Sequence, residues 1–170
     1  MIGKPILWNN ENQMTGDIMH LIGNNETQKL DSLKVLNNAF IIQKDSLSKN
    51  GYNQIKGQNL YGKFVDSKLK EVDVVKNAEV IYYMYNDANE FIGINKTVCS
   101  KINLELEENK IDAITFFTKT DSHIYPEADF PENARKLRGF LWRGDERILS
   151  KDDIFPAEEI ALDDKIQIEA

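Results

Sequence analysis

The sequence predicts an all-β fold, with stacked antiparallel strands in a twisted β-roll or solenoid and short helices capping its C-terminal end. Three observations predict it. One pattern occurs three times without gaps, at residues 29–35, 68–74 and 110–116: Lys, aliphatic, two variable residues, aliphatic, one variable residue, then Val or Phe. The runs between copies, such as residues 78–85, are rich in β-branched and aromatic residues and carry no helical stripe. Residues 101–106 alternate strictly, which puts Ile102, Leu104 and Leu106 on one buried face.

The elements follow in order. Pro5-Ile6-Leu7-Trp8, a polar turn at 9–12 and Gln13-Met14-Thr15 form a hairpin. A strand at 17–22, the turn Asn24-Asn25-Glu26-Thr27 and the first copy come next, then Asn38-Ala39. Residues 60–65, the turn Asp66-Ser67 and the second copy repeat this, and Asn77-Ala78 falls at the same distance. Residues 78–85, an Asn-rich turn at 86–89 and residues 90–98 make another hairpin. The strand at 101–106, the turn Glu107-Glu108-Asn109 and the third copy complete the series, with Lys119-Thr120 in place of the Asn-Ala pair. A glycine opens or precedes each unit, at Gly16, Gly57 and Gly93.

The copies are offset by 39 and 42 residues. A unit of that size cannot bury its apolar face alone, so neighbouring units must share a core. Three units are too few for a propeller, and a compact sandwich is the alternative architecture. Asn38 and Asn77 suit either an amide ladder between units or a bulge in each. Residues 1–126 form the three-unit domain and 127–156 the cap. In the cap, Pro131 starts one short helix and Ser150, with Asp153 three residues on, starts another. Residues 157–170 are an acidic tail whose one strand-like run is Ile166-Gln167-Ile168.

Composition narrows the function. Hydrophobic residues make up 41% and charged residues 29%, which are globular values. No apolar run reaches the 18 residues of a membrane span, and Met1-Ile2-Gly3-Lys4-Pro5 does not read as a secretory signal. The net charge of −7 argues against non-specific nucleic-acid binding. Cys99 stands alone, which excludes an internal disulfide and a Cys-based zinc site and leaves a small packed side chain or a reactive thiol with no His nearby in sequence. His20 and His123 lie in different units, and no P-loop, nucleophile elbow, zinc-protease or dinucleotide motif occurs. Glu105, Glu107 and Glu108 sit at a strand end and turn, where solvated acids belong. No catalytic residue, metal or cofactor is expected.

Two groups of residues remain as sites. Leu33, Val35, Val72, Val74, Ile114 and Phe116 are the inward positions of the three copies and would line an apolar slot suited to an amphiphile. The four arginines, Arg135, Arg138, Arg143 and Arg147, fall within thirteen residues around Phe140-Leu141-Trp142. Arg138, Trp142, Arg143 and Arg147 therefore form a surface for an anionic group or a partner. The alternative pairs these arginines with Glu132, Asp145 and Glu146 and uses Phe140, Leu141 and Trp142 to cap the open end of the core.

Several motifs resemble the OstA-like (LptA-type) family. They are residues 5–8 and 13–17, Asn38-Ala39-Phe40, Tyr52-Asn53-Gln54-Ile55-Lys56-Gly57, Asn77-Ala78-Glu79, Ile92-Gly93-Ile94-Asn95, and Leu137-Arg138-Gly139-Phe140-Leu141-Trp142-Arg143. The resemblance spans roughly residues 5–155, and the Tyr-Asn-Gln-Ile-x-Gly and Gly-Phe-x-Trp runs are its most specific parts. It implies a periplasmic β-jellyroll, matching the C-terminal portion of a longer member, that binds the acyl chains of lipid A inside and joins end to end into a lipopolysaccharide bridge. No lipid-contacting residue of the family maps onto a particular position here. A β-repeat interaction scaffold without a lipid ligand is the alternative function.

Overall fold

The computed structural model describes residues 1–108, 110–118, 120–150 and 153. Alternating apolar and polar residues between turns form nine strands: β1 (Ile6–Asn9), β2 (Asn12–Thr15), β3 (Ile18–Asn24), β4 (Lys29–Lys44), β5 (Tyr52–Val65), β6 (Lys68–Tyr85), β7 (Phe91–Glu107), β8 (Lys110–Phe117) and β9 (Asp121–Tyr125). They make one antiparallel sheet in the order β1-β2-β4-β5-β6-β7-β8, with β3 also on β4 and β9 also on β7. No helix of the described residues is long and apolar enough to cross a membrane.

The three lysine-led stretches open β4, β6 and β8, which are alternate strands of this sheet. Their register is shared. Val35 faces Leu60, Leu60 faces Val74, Val74 faces Ile102, and Ile102 faces Phe116. One row further along, Leu33, Gly62, Val72, Leu104 and Ile114 align in the same way. The repeat thus specifies every second strand, and the strand between copies supplies the partner.

Each long strand bends at one level. Residues 37 and 38 of β4 face residue 58 alone, and residues 76 and 77 of β6 face residue 100 alone. An extra residue of this kind is a β-bulge, which kinks the strand. Asn37 and Asn38 take φ of 59° and 52°, and Lys76 and Asn77 take 65° and 51°. Asparagine tolerates this left-handed region better than most residues, because its short amide bonds locally. Asn38 and Asn77 are therefore bulge residues, and they stand on strands separated by β5. The third unit lacks the Asn-Ala pair and still bends: Thr118, eight residues after its lysine like Asn37 and Lys76, has φ 51° and separates β8 from β9.

The bends divide the sheet into two layers. Layer A holds β3, residues 29–36, 59–65, 68–75 and 101–107, and β8. Layer B holds β1, β2, residues 39–44, 52–57, 78–85 and 91–99, and β9. Leu33, Val35, Leu60, Val72, Val74 and Ile102 of layer A belong to one buried cluster with Met14, Ile41, Ile55 and Val80 of layer B. Strand residues alone make up that cluster, so each layer covers the other's apolar face. The crease is lined by small residues: Gly16, Ala39, Gly57, Ala78 and Cys99. A β-carbon on Gly57 would lie 2.6 Å from Val74 Cγ1, and one on Gly16 only 2.3 Å from Val35 Cγ1. Cys99 takes this place in the third unit. The expected equivalent, Gly93, sits elsewhere, where a β-carbon would meet Ile124 Cγ2 at 2.8 Å and Tyr125 O at 3.0 Å.

Layer A leaves its other face to water, whereas layer B buries both. Residues 39–42 are buried in succession, which alternation cannot explain with a single core. The second cover is the C-terminal segment. Phe130, Leu137, Phe140 and Trp142 pack with Phe40, Ile42, Ile81, Tyr83 and Ile94 on layer B's outer face. This segment differs from the expected helical cap: among the described residues it contains only the 3₁₀ turns Glu127–Asp129, Glu132–Ala134 and Gly144–Glu146. The physical reason is hydrogen-bonding competition, since Leu137 donates its N–H to Gln54 Oε1 at 2.8 Å rather than to a carbonyl one turn back. The second expected helix, in residues 150–156, and the acidic tail lie outside the described residues except for Ser150 and Asp153. The Asp153 carboxylate accepts the N–H groups of Leu149 and Ser150 at 2.9 and 2.8 Å.

Candidate binding cleft

The structure brings the six interior residues together in the two rows described above. Leu33 and Val35 have no surface that water reaches, and Val72 and Val74 keep 1% each. Ile114 and Phe116 are half-buried against the same cluster. A water-sized space beside the first four would show as accessible surface, so they form a filled core with no slot.

The arginine segment is strapped over layer B by two fully buried glutamines. Gln54 Nε2 donates to Arg135 O at 2.7 Å and to Tyr52 O at 3.1 Å, while its Oε1 accepts from Leu137 N. Gln13 repeats the device six residues on: Nε2 donates to Leu141 O at 2.8 Å and Oε1 accepts from Arg143 N at 2.7 Å. Each amide thus reads a carbonyl and the N–H two residues later, as a neighbouring strand would. Gln13 and Gln54 flank Ile42 across the sheet, and Gln54 also faces Ile81, so both are polar residues in an otherwise apolar buried row.

The four arginines divide by role. Arg135 staples its own turn, with Nε on Phe130 O and Nη2 on Glu127 O, both at 2.7 Å. Arg143 forks onto Glu146 and donates through Nη1 to Lys4 O at 3.0 Å. That pairing holds the Glu146 carboxyl below its usual range and raises the Arg143 guanidinium. Arg147 lies over the Trp8 ring, 5.7 Å from its centre, and Trp142 meets Trp8 edge-on at 5.3 Å. Glu127 and Glu146 are the acids that arginines take, so the expected Glu132 and Asp145 pairs do not form. Arg138 differs from the rest. It is exposed and its side chain makes no hydrogen bond or ion pair with any described residue.

Arg138 faces an open cleft of about 1080 Å³, between the bulge row and the strap. Its cations are Lys4, Lys56, Arg138 and Arg143, and its acids are Asp17 and Glu79. Lys56 pairs with Glu79 at 2.9 Å and also reaches Arg138 O at 3.4 Å, which ties the strap to β5. Asp17 accepts the Asn38 amide at 2.9 Å. Asn37, Gln58 and Asn77 also line the cleft, with side chains unbonded to the described residues. Sequence reasoning found Arg138 and Arg143 here but missed Lys4, Lys56 and Gln58, because residues far apart in the chain meet only across the crease. Comparison of the chain with protein-family models, curated proteins and solved structures finds no match.

Proposed function

We propose that this chain is a non-enzymatic link in a periplasmic lipopolysaccharide-transport bridge, a twisted β-roll module that pairs edge to edge with its neighbours. The motif resemblance supports the ligand class. The open sheet edge carries the bridge part of the reading. β8 and β9 pair with β7 on one side, and among the described residues nothing pairs with the other. Ser100 N–H bonds Thr118 O, so the two-residue alternation of an antiparallel ladder points the N–H and C=O groups of Ala113 and Thr115 off the edge, while Phe117 O accepts from Ser100 Oγ at 2.9 Å. Neither strand contains proline, and Phe117 and Ile124 stand exposed beside it. Such an edge is a template for another strand. At the far side of the sheet, β3 is covered near Met19 by Met1 and presents exposed Leu21 and Ile22 beyond it. A head-to-tail contact of β8 with β3 continues layer A into the next copy, and one of β9 with β1 continues layer B.

The filled core favours a second reading, an interaction scaffold with no lipid inside. Lipid entry would require layers A and B to part along their shared face. Titration with lipopolysaccharide, run beside sedimentation over a range of protein concentrations, separates the two. Saturable binding with self-association supports the bridge, and association alone supports the scaffold. If neither occurs, both readings fall. Thr115→Pro removes an outward donor and is expected to keep the circular-dichroism spectrum while abolishing association. Ile124→Lys, which leaves the backbone intact, is expected to weaken it.

A further inference from the structure

We propose that the cleft along the crease binds an anionic saccharide, with Arg138 and Lys4 holding its oxyanion and the amides of Gln58, Asn37 and Asn77 its hydroxyls. Lys56 is committed to Glu79 and the strap, and Arg143 to Glu146 and Lys4 O. The Arg138 guanidinium and the Lys4 ammonium make no hydrogen bond or ion pair with the described residues, yet both line the same cleft. Their neighbourhood is basic although the chain carries −7 overall. The local field therefore selects for negative charge, and a guanidinium fork matches the two oxygens of a carboxylate or phosphate.

The amides indicate what bears that charge. A side-chain amide offers both donors and an acceptor, which suits hydroxyls better than a bare ion. Asn37 and Asn77 sit on the left-handed backbone of the bulges, and Gln58 faces the bulge of β4. Arg138 is positioned too: Lys56 holds its carbonyl, and Gly139, at φ 94°, turns the chain against Phe40. The cleft's volume lies just above the ~300–1,000 Å³ of small-molecule pockets, so it has room for more than one ring. Exposed Leu141 at its rim offers a sugar's apolar face a contact.

Saccharide binding in this cleft needs no acyl chain and no self-association. The full chain is titrated by nuclear magnetic resonance with tetragalacturonate, glucose 6-phosphate, uncharged maltotetraose and inorganic phosphate. The expected result is saturable binding of one or both charged sugars, with shifts at Asn38, Gln58, Asn77 and Gly139. Maltotetraose and phosphate should bind roughly tenfold more weakly, and added salt should weaken the charged sugars. Arg138→Ala and Lys4→Ala should each weaken binding about tenfold, whereas Lys34→Ala, exposed on layer A, should not. Failure of both charged sugars to bind overturns the proposal, as does unchanged binding by the Arg138→Ala, Lys4→Ala double variant. Phosphate binding as tightly as the sugars would remove the saccharide, and maltotetraose binding equally would remove the charge.

Discussion

At the residue scale, the crease depends on atoms that are missing. Gly57→Ala places a methyl 2.6 Å from Val74 Cγ1 and 3.2 Å from Val75 O. Overpacking of this kind costs about 1–3 kcal/mol. Adding Val74→Ala removes the clashing methyls, so the double variant should be more stable than the two separate losses predict, by chemical denaturation in a double-mutant cycle. Strict additivity would show that the glycine is there for backbone reasons alone. Tyr85 offers a second test. Burial, and then its hydrogen bond to the Asp45 carboxylate, push its phenol well above the usual value of 10. Burial raises Tyr82 and Tyr83 as well. The unfolded chain releases these protons near pH 10 while the folded chain keeps them. Their contribution is therefore complete below pH 10 and is lost as pH rises through the folded values. Stability should fall steeply above pH 10, and Tyr85→Phe should flatten that fall. At neutral pH the same change costs about 1.5–3 kcal/mol, the value of a hydrogen bond to a charged group.

At the element scale, the strap behaves as a tenth strand made of side-chain contacts. Gln54 satisfies two carbonyls and one N–H, and Gln13 satisfies one of each, in a layer that water does not enter. Gln54→Ala leaves Leu137 N–H and Arg135 O without partners. The expected cost is about 1–3 kcal/mol for each group left buried and unbonded. The loss should be local: amide exchange at Leu137 and Arg143 accelerates and Trp142 fluorescence shifts red, while β4–β7 keep their protection. Uniform acceleration across the sheet would make the strap part of the global core. The three lysine-led copies are legible in the sequence because period-2 alternation and turn residues are local signals. The strap is not legible, since its partners lie 81 to 130 residues away.

At the scale of the whole molecule, one sheet is folded into two layers, and its fate rests on its edges. Layer B is covered twice and layer A once, so charge gathers on layer A's outer face. There Lys101 pairs with Asp73 at 2.8 Å, and Asn103 donates to both Glu71 and Asp73 at 2.9 Å. The β8–β9 edge carries the Asp121–His123 pair but, among the described residues, leaves Phe117 and Ile124 exposed beside unpaired backbone. That asymmetry leads to the expectation, checked by sedimentation, that Thr115→Pro yields a monomer at concentrations where the native chain associates. The two tests of function are also separable at this scale, because the edge belongs to layers A and B at β8–β9 and the anion cleft to the crease beneath the strap.

The sequence by itself determined the all-β class, the repeat and the buried face of Ile102, Leu104 and Leu106, because each follows from side-chain patterning within a few residues. Only the tertiary structure decided that the copies lie side by side in one folded sheet and that the expected helix is an extended strap. It also decided that Leu33, Val35, Val72 and Val74 fill a core and that Arg138 and Lys4 share a cleft. Those outcomes turn on which distant groups meet once the strands bend at Asn37-Asn38 and Lys76-Asn77, and a long-range encounter leaves no periodic trace in the chain.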